Sequence, residues 1–168
     1  MGGFVFTGVL GTLLHFLFDW TGGNAVAALF SAVNESIWEH MKLLYYPMLT
    51  FAFIEHSRWG KDIPQFWCVK LIGTLTGLLL IPTIYYTYTG ILGLSADWLN
   101  IAIFFFAAAA TFYLETKLFM NEYLCRIASN KAFVILCLMG VVFTVLTFAT
   151  PQIPFFEDPL TGTYGFQK

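Results

Sequence analysis

The run Asn34-Glu35-Ser36-Ile37-Trp38-Glu39-His40-Met41-Lys42 places two carboxylates, an imidazole and an amine side by side in an otherwise apolar chain. Upstream, His15 and Asp19 stand about one helical turn apart. Such groups take up protons or ligate cations, and a charged group at membrane depth costs a few kcal/mol, so it defaults to a functional reading. His15, Asp19, Glu35, Glu39, His40 and Lys42 are therefore the candidate ion- or ligand-binding residues, expected to line one partly hydrated site. At about 100° per residue, Glu35, Glu39, Lys42 and Tyr46 share a narrow helical sector, with His40 and Ser36 on another flank.

Helix-start chemistry explains part of this run. Ser36-x-x-Glu39 has the form of a capping box, Asn34 is an alternative cap, and Glu35 suits the positive end of the helix dipole. It does not explain His15, Asp19, His40 or Lys42. HExxH is absent, and Glu39 and His40, adjacent on a helix, do not readily bind the same ion, so no metal, cofactor or catalytic residue is assigned. Bis-histidine haem by His15 and His40 has nothing else to mark it. Lys70 and Glu115 fall at similar depth near the opposite end and are expected to form a structural ion pair.

The elements that must hold these groups are membrane helices. Apolar residues make up 58% of 168 positions and charged residues 11%, with a mean hydropathy of +0.74; soluble domains carry about 25% charged residues. The expectation is an all-α, polytopic helix bundle forming a single integral membrane domain over residues 1–168. Five spans are expected over about 4–20, 34–55, 66–86, 98–118 and 131–150, with an external tail over 151–168. Gly23–Val33 is apolar but too short to cross, and reads as a short re-entrant or interfacial helix. Gly8, Gly11 and Thr12, on the stripe of His15 and Asp19, mark a close packing face. Further packing stripes are Gly73, Thr74 and Gly77 beside Lys70, and Gly140, Thr144 and Thr147.

Five spans put Arg58, Lys61, Lys70, Lys117, Arg126 and Lys131 on the side of the N-terminus, against Lys42 and Lys168 on the other. The positive-inside rule then makes the N-terminus cytoplasmic and the C-terminus external. The external mouth is acidic, with Asp97, Glu157 and Asp158 added to the cluster. The first helix lacks a basic n-region and a cleavage site, and reads as retained rather than as a secretory signal. Cys68, Cys125 and Cys137 are too scattered for a disulfide framework or zinc knuckle and are expected as reduced thiols near the cytoplasmic side. A net charge of −2 gives no reason to expect nucleic acid.

The segments VNESIWEHMKLLYYP, LLHFLFDW and FFEDPLTGTYG resemble an uncharacterised family of small bacterial membrane proteins of Firmicutes type, over nearly the whole chain. The resemblance implies a bacterial plasma membrane and brings no activity. Three functions fit these features. The first is ion or small-solute binding or transport, proton- or cation-linked. The second is an intramembrane metal-dependent hydrolase. The third is a substrate-capture or scaffold subunit of a larger complex. The partners implied are the lipid bilayer, a cation or small-molecule ligand, and a second copy or partner subunit.

Overall fold

The structure, a computed structural model, describes residues 2–120 and 125–167. The described residues form six α-helices and no strand: α1 (Gly2–Trp20), α2 (Ala25–Ala28), α3 (Ile37–Arg58), α4 (Phe66–Leu92), α5 (Asp97–Phe119) and α6 (Ser129–Phe148), with one 3-10 turn at Gly60–Asp62. The connection between the expected spans 98–118 and 131–150 lies partly outside the described residues. Four helices, α1, α4, α5 and α6, are long and apolar enough to cross a membrane. The exception among the long helices, α3, carries Glu39, Lys42, Glu55 and Arg58. It is also the helix on which the other four pack. Glu39 and Lys42 are hidden by neighbours whose outward faces, such as Val5 and Val9 of α1 or Val141 and Val145 of α6, are exposed and apolar, while Arg58 is exposed at the helix end.

Glycine sets how closely the helices approach. A Cβ on Gly11 would stand 2.7 Å from the Leu43 carbonyl and 2.7 Å from the Phe104 ring, so α1 lies directly against α3 and α5. That carbonyl has no helical partner, because Pro47, four residues on, has no N–H. On α4, a Cβ on Gly77 would meet Thr111 at 2.5 Å and Leu44 at 2.8 Å. Tyr46 of α3 donates to the Gly140 carbonyl of α6 at 3.0 Å, which ties the third face of α3 down.

Two boundaries differ from expectation for local reasons. Asn34 and Ser36 act as turn and cap residues, so α3 begins at Ile37. α4 continues to Leu92 and ends where Gly93 adopts φ 68°, with its N–H on the Thr89 carbonyl. The tail after α6 folds back over the bundle: Phe155 packs edge-on and Phe156 tilted against Trp38, and the Phe166 N–H donates to the Thr147 carbonyl at 2.8 Å.

Candidate metal centre

Three side chains from two helices and the loop between them meet at one end of the bundle. His15 is carried by α1, positioned by Gly8 and Gly11. His40 lies in the first turns of α3. Glu35 precedes that helix, between Asn34, whose side-chain oxygen accepts from the Ser36 N–H at 3.0 Å, and Ser36, whose hydroxyl accepts from the Glu39 N–H at 3.4 Å. Being outside the helix, Glu35 escapes the helical wheel and turns toward His40 rather than Glu39.

The Glu35 carboxylate bridges the two imidazoles. Its Oε2 lies 3.4 Å from His40 Nε2 and its Oε1 3.7 Å from His15 Nε2. His40 Nδ1 lies 2.9 Å from the Ser36 carbonyl, an acceptor only, so Nδ1 carries the proton. In neutral His40 the Nε2 lone pair then faces a carboxylate oxygen, an arrangement that needs a cation or a proton between them. One ligand atom from each of the three residues lies within 4.8 Å of the others. Tetrahedral ligands at about 2.1 Å from an ion stand about 3.4 Å apart, so the 3.4 and 3.7 Å separations of Glu35 from the two imidazoles are close to those of a zinc-type site. The Nδ1–H to carbonyl bond of His40 is the outer contact that metal-binding histidines use to fix tautomer and ring.

Glu39 and Lys42 lie in a different network. The Lys42 ammonium donates to Glu39 Oε2, to the Ala28 carbonyl and to Thr147 Oγ1, each at 2.9 Å. Thr147 in turn donates to Glu39 Oε1 at 2.8 Å, and the Val33 N–H donates to Glu39 Oε2 at 3.2 Å. Both residues are essentially inaccessible. This knot anchors the end of the short α2 turn, whose Ala27 and Ala28 are buried, to α3 and α6. Asp19 is exposed at the end of α1 and makes no side-chain bond to the other five. The six candidate residues thus divide into a cluster of three, a closed pair and one surface carboxylate. The acidic mouth is likewise thinner than expected. Asp158 is buried within its own turn, accepting from Leu160 N–H and Thr161, and Glu157 accepts from Tyr164.

Beside the cluster is a cavity of about 280 Å³, lined by Glu35, His40, Tyr85, Ser95, Asp97 and Asn100, with Pro159 and Leu160 of the tail at its rim. Asn100 is fixed from both sides: it accepts from the Tyr88 hydroxyl at 2.5 Å and donates to Ser95 at 3.2 Å.

At the opposite end, the expected pair is present: the Lys70 ammonium donates to Glu115 at 2.6 Å. Glu55 of α3 also pairs with Lys70, and the rings of Phe66, Phe112 and Phe119 stand 5.5–5.8 Å from the ammonium. Cys68 and Cys125 do not remain thiols as expected but form a disulfide across 57 positions, which a spacing rule could not see; Cys137 is free.

The family match spans residues 3–166, and so includes all of these groups. The chain belongs to DUF6512, a family of unknown function. No curated protein and no solved structure matches it. The family brings no chemistry, which is left to the residues. Among those, Asn100, Ser95, Glu55 and Thr147 were not singled out for the sites they join. Asn100 carried a signal, being a polar residue one turn after Asp97 at the start of an apolar span.

Proposed function

We propose that this is a five-span membrane protein, with a cytoplasmic N-terminus, whose external end binds a divalent transition-metal ion of the zinc class through His15, Glu35 and His40. One observation carries the reading: His40 sets its Nδ1 against a backbone carbonyl and turns its Nε2 toward Glu35, at the spacing a shared metal ion produces. Three ligands leave a coordination position for water or substrate, and a cavity lies alongside.

The span count and orientation rest on separate support. α3 is 22 residues long, enough to cross at about 1.5 Å per residue, and its charges are paired or terminal. The lysines and arginines gathered where α3 and α5 end and α4 and α6 begin mark that end as cytoplasmic. The plasma-membrane part of this reading is supported by the sequence resemblance alone.

Binding is favoured over passage through the single chain. Below the cluster Gly11 is pressed on the Leu43 carbonyl and Phe104, and Glu39 and Lys42 are already occupied. The test is metal content and zinc titration of the purified protein, after removal of adventitious metal by chelation. Wild type should hold one ion per chain, and His40→Ala and Glu35→Gln should each weaken binding by well over about tenfold without lowering the melting temperature. Affinity should fall as pH falls, because protons compete for the imidazoles. Equal metal content in wild type and His40→Ala would end this reading.

A further inference from the structure

The polar cavity beside the cluster is not isolated. A second cavity of about 380 Å³ runs between α1 and α5, lined by His15, Phe16, Leu43, Ile101, Phe104 and Phe105 among others. The two share His40, Asn100 and Phe104 as walls. They differ in character and in where they open. The first is bordered by Ser95, Asp97 and the folded-back tail, at the water-facing end of the bundle. The second is bordered by Phe16, Ile101 and Phe105, which are 44%, 59% and 37% exposed on helices apolar enough to span the bilayer, so it opens sideways toward acyl chains. A straight-sided packing seam between two membrane helices would need no such recess, and would not end on two imidazoles.

From this juxtaposition we propose that the site takes an amphiphile: an acyl chain enters between α1 and α5, and its neutral, hydroxyl-bearing head lies in the polar cavity with one oxygen toward the metal. The proposal rests on the metal-binding reading above and adds the ligand class to it. The head is assigned from the wall chemistry. Tyr85, Ser95, Asp97 and Asn100 offer hydroxyl, carboxylate and amide groups, and Asn100 is held rigid by Tyr88 and Ser95. Among the described residues no lysine or arginine lines either cavity, so there only the ion would balance a phosphate. With Glu35 and Asp97 present, a divalent ion leaves the site near neutral, which matches an uncharged glycerol-type head and disfavours an anionic one.

The experiment uses the full chain in phosphatidylcholine nanodiscs, loaded with zinc, and a monoacylglycerol bearing a photoreactive diazirine on its acyl chain. Mapped crosslinks should concentrate on the α1–α5 recess, around Phe16, Ile101 and Phe105. Unlabelled monoacylglycerol should compete and phosphatidic acid should not. Ile101→Trp, which fills the recess from its exposed rim, should cut labelling several-fold while zinc affinity stays at the wild-type value. Labelling spread evenly over all lipid-facing helices, with zinc bound normally, would overturn the amphiphile and leave the metal site standing. Equal competition by phosphatidic acid would overturn the neutral head. A wild-type protein that binds no zinc would overturn both.

Discussion

Glu39 and His40 are neighbours in sequence and meet opposite fates. Glu39 faces the core, where Lys42, Thr147 and the Val33 N–H occupy its two oxygens. His40 faces a cavity, where its Nε2 and the Glu35 carboxylate oppose each other at 3.4 Å. One side of α3 has closed its polar groups into a knot, and the other has left them directed at a common point. The difference separates structure from function more sharply than residue type does. A buried charge whose every bond is made within the protein stabilises one fold, whereas polar groups from separate elements directed at a common point beside a cavity can meet a ligand.

The largest test of that contrast is Lys42→Met. It leaves Glu39 buried without its cation, and breaking one partner of a buried pair costs about 3–5 kcal/mol. A melting curve in detergent should show the loss, and Glu39→Gln combined with Lys42→Met should recover much of it. If Lys42→Met instead melts like wild type and lowers only zinc affinity, the knot and the open cluster are one site after all. Lys70→Met should act in the same direction toward the lower end of that range. Glu55 and Glu115 both lose their cation, but Glu55 is partly exposed and water can reach it. A Lys70→Met, Glu115→Leu double mutant no more stable than the sum of the singles would count against the bridge.

Much of the framework was readable without coordinates, for physical reasons. The hydrophobic lengths fix where helices run, and the glycines at 8, 11, 73 and 77 mark where they touch, because only a missing Cβ permits those approaches. Lys70 and Glu115 could be paired by depth alone, since both lie well inside apolar helices where a lone charge is costly. The division of the polar cluster could not be read. A helical wheel assigns Glu35 to the face of Glu39, but Glu35 lies before the helix begins, and the Asn34 and Ser36 caps decide where it begins. Glu55 was equally hidden. It sits near a helix end, where a carboxylate reads as solvated, until α4 brings Lys70 against it.

The two ends also differ in redox character. The disulfide between Cys68 and Cys125 lies at the end rich in lysine and arginine. If charge sets orientation, that end faces the cytoplasm, where glutathione and thioredoxin keep thiols reduced. In intact cells the pair should therefore alkylate as a dithiol with a membrane-permeant maleimide after acid quenching, and close only on oxidation. Closing it should add about 2–4 kcal/mol to stability in purified protein. A fully blocked pair in freshly quenched cells would place this end outside and reverse the orientation, and with it the side to which the histidine cluster opens.

Asp19 supplies the smallest and most discriminating comparison. It lies one turn beyond His15 on α1 and has the same chemistry as Glu35, so proximity in sequence favours it as a ligand. The structure leaves it exposed, with no side-chain bond to the cluster. Asp19→Asn should then change neither zinc affinity nor melting temperature beyond about 0.5 kcal/mol, the range of ordinary surface substitutions. Glu35→Gln, an equally conservative change, should lower zinc affinity by well over about tenfold, because it removes the charge that both imidazoles face. The two variants remove one negative charge each from the same end of the protein. A general electrostatic attraction of cations to an acidic mouth predicts equal losses, sensitive to ionic strength. A built coordination site predicts a loss for Glu35 alone, at any ionic strength. Equal, salt-screened losses would reduce the cluster to a patch of negative potential.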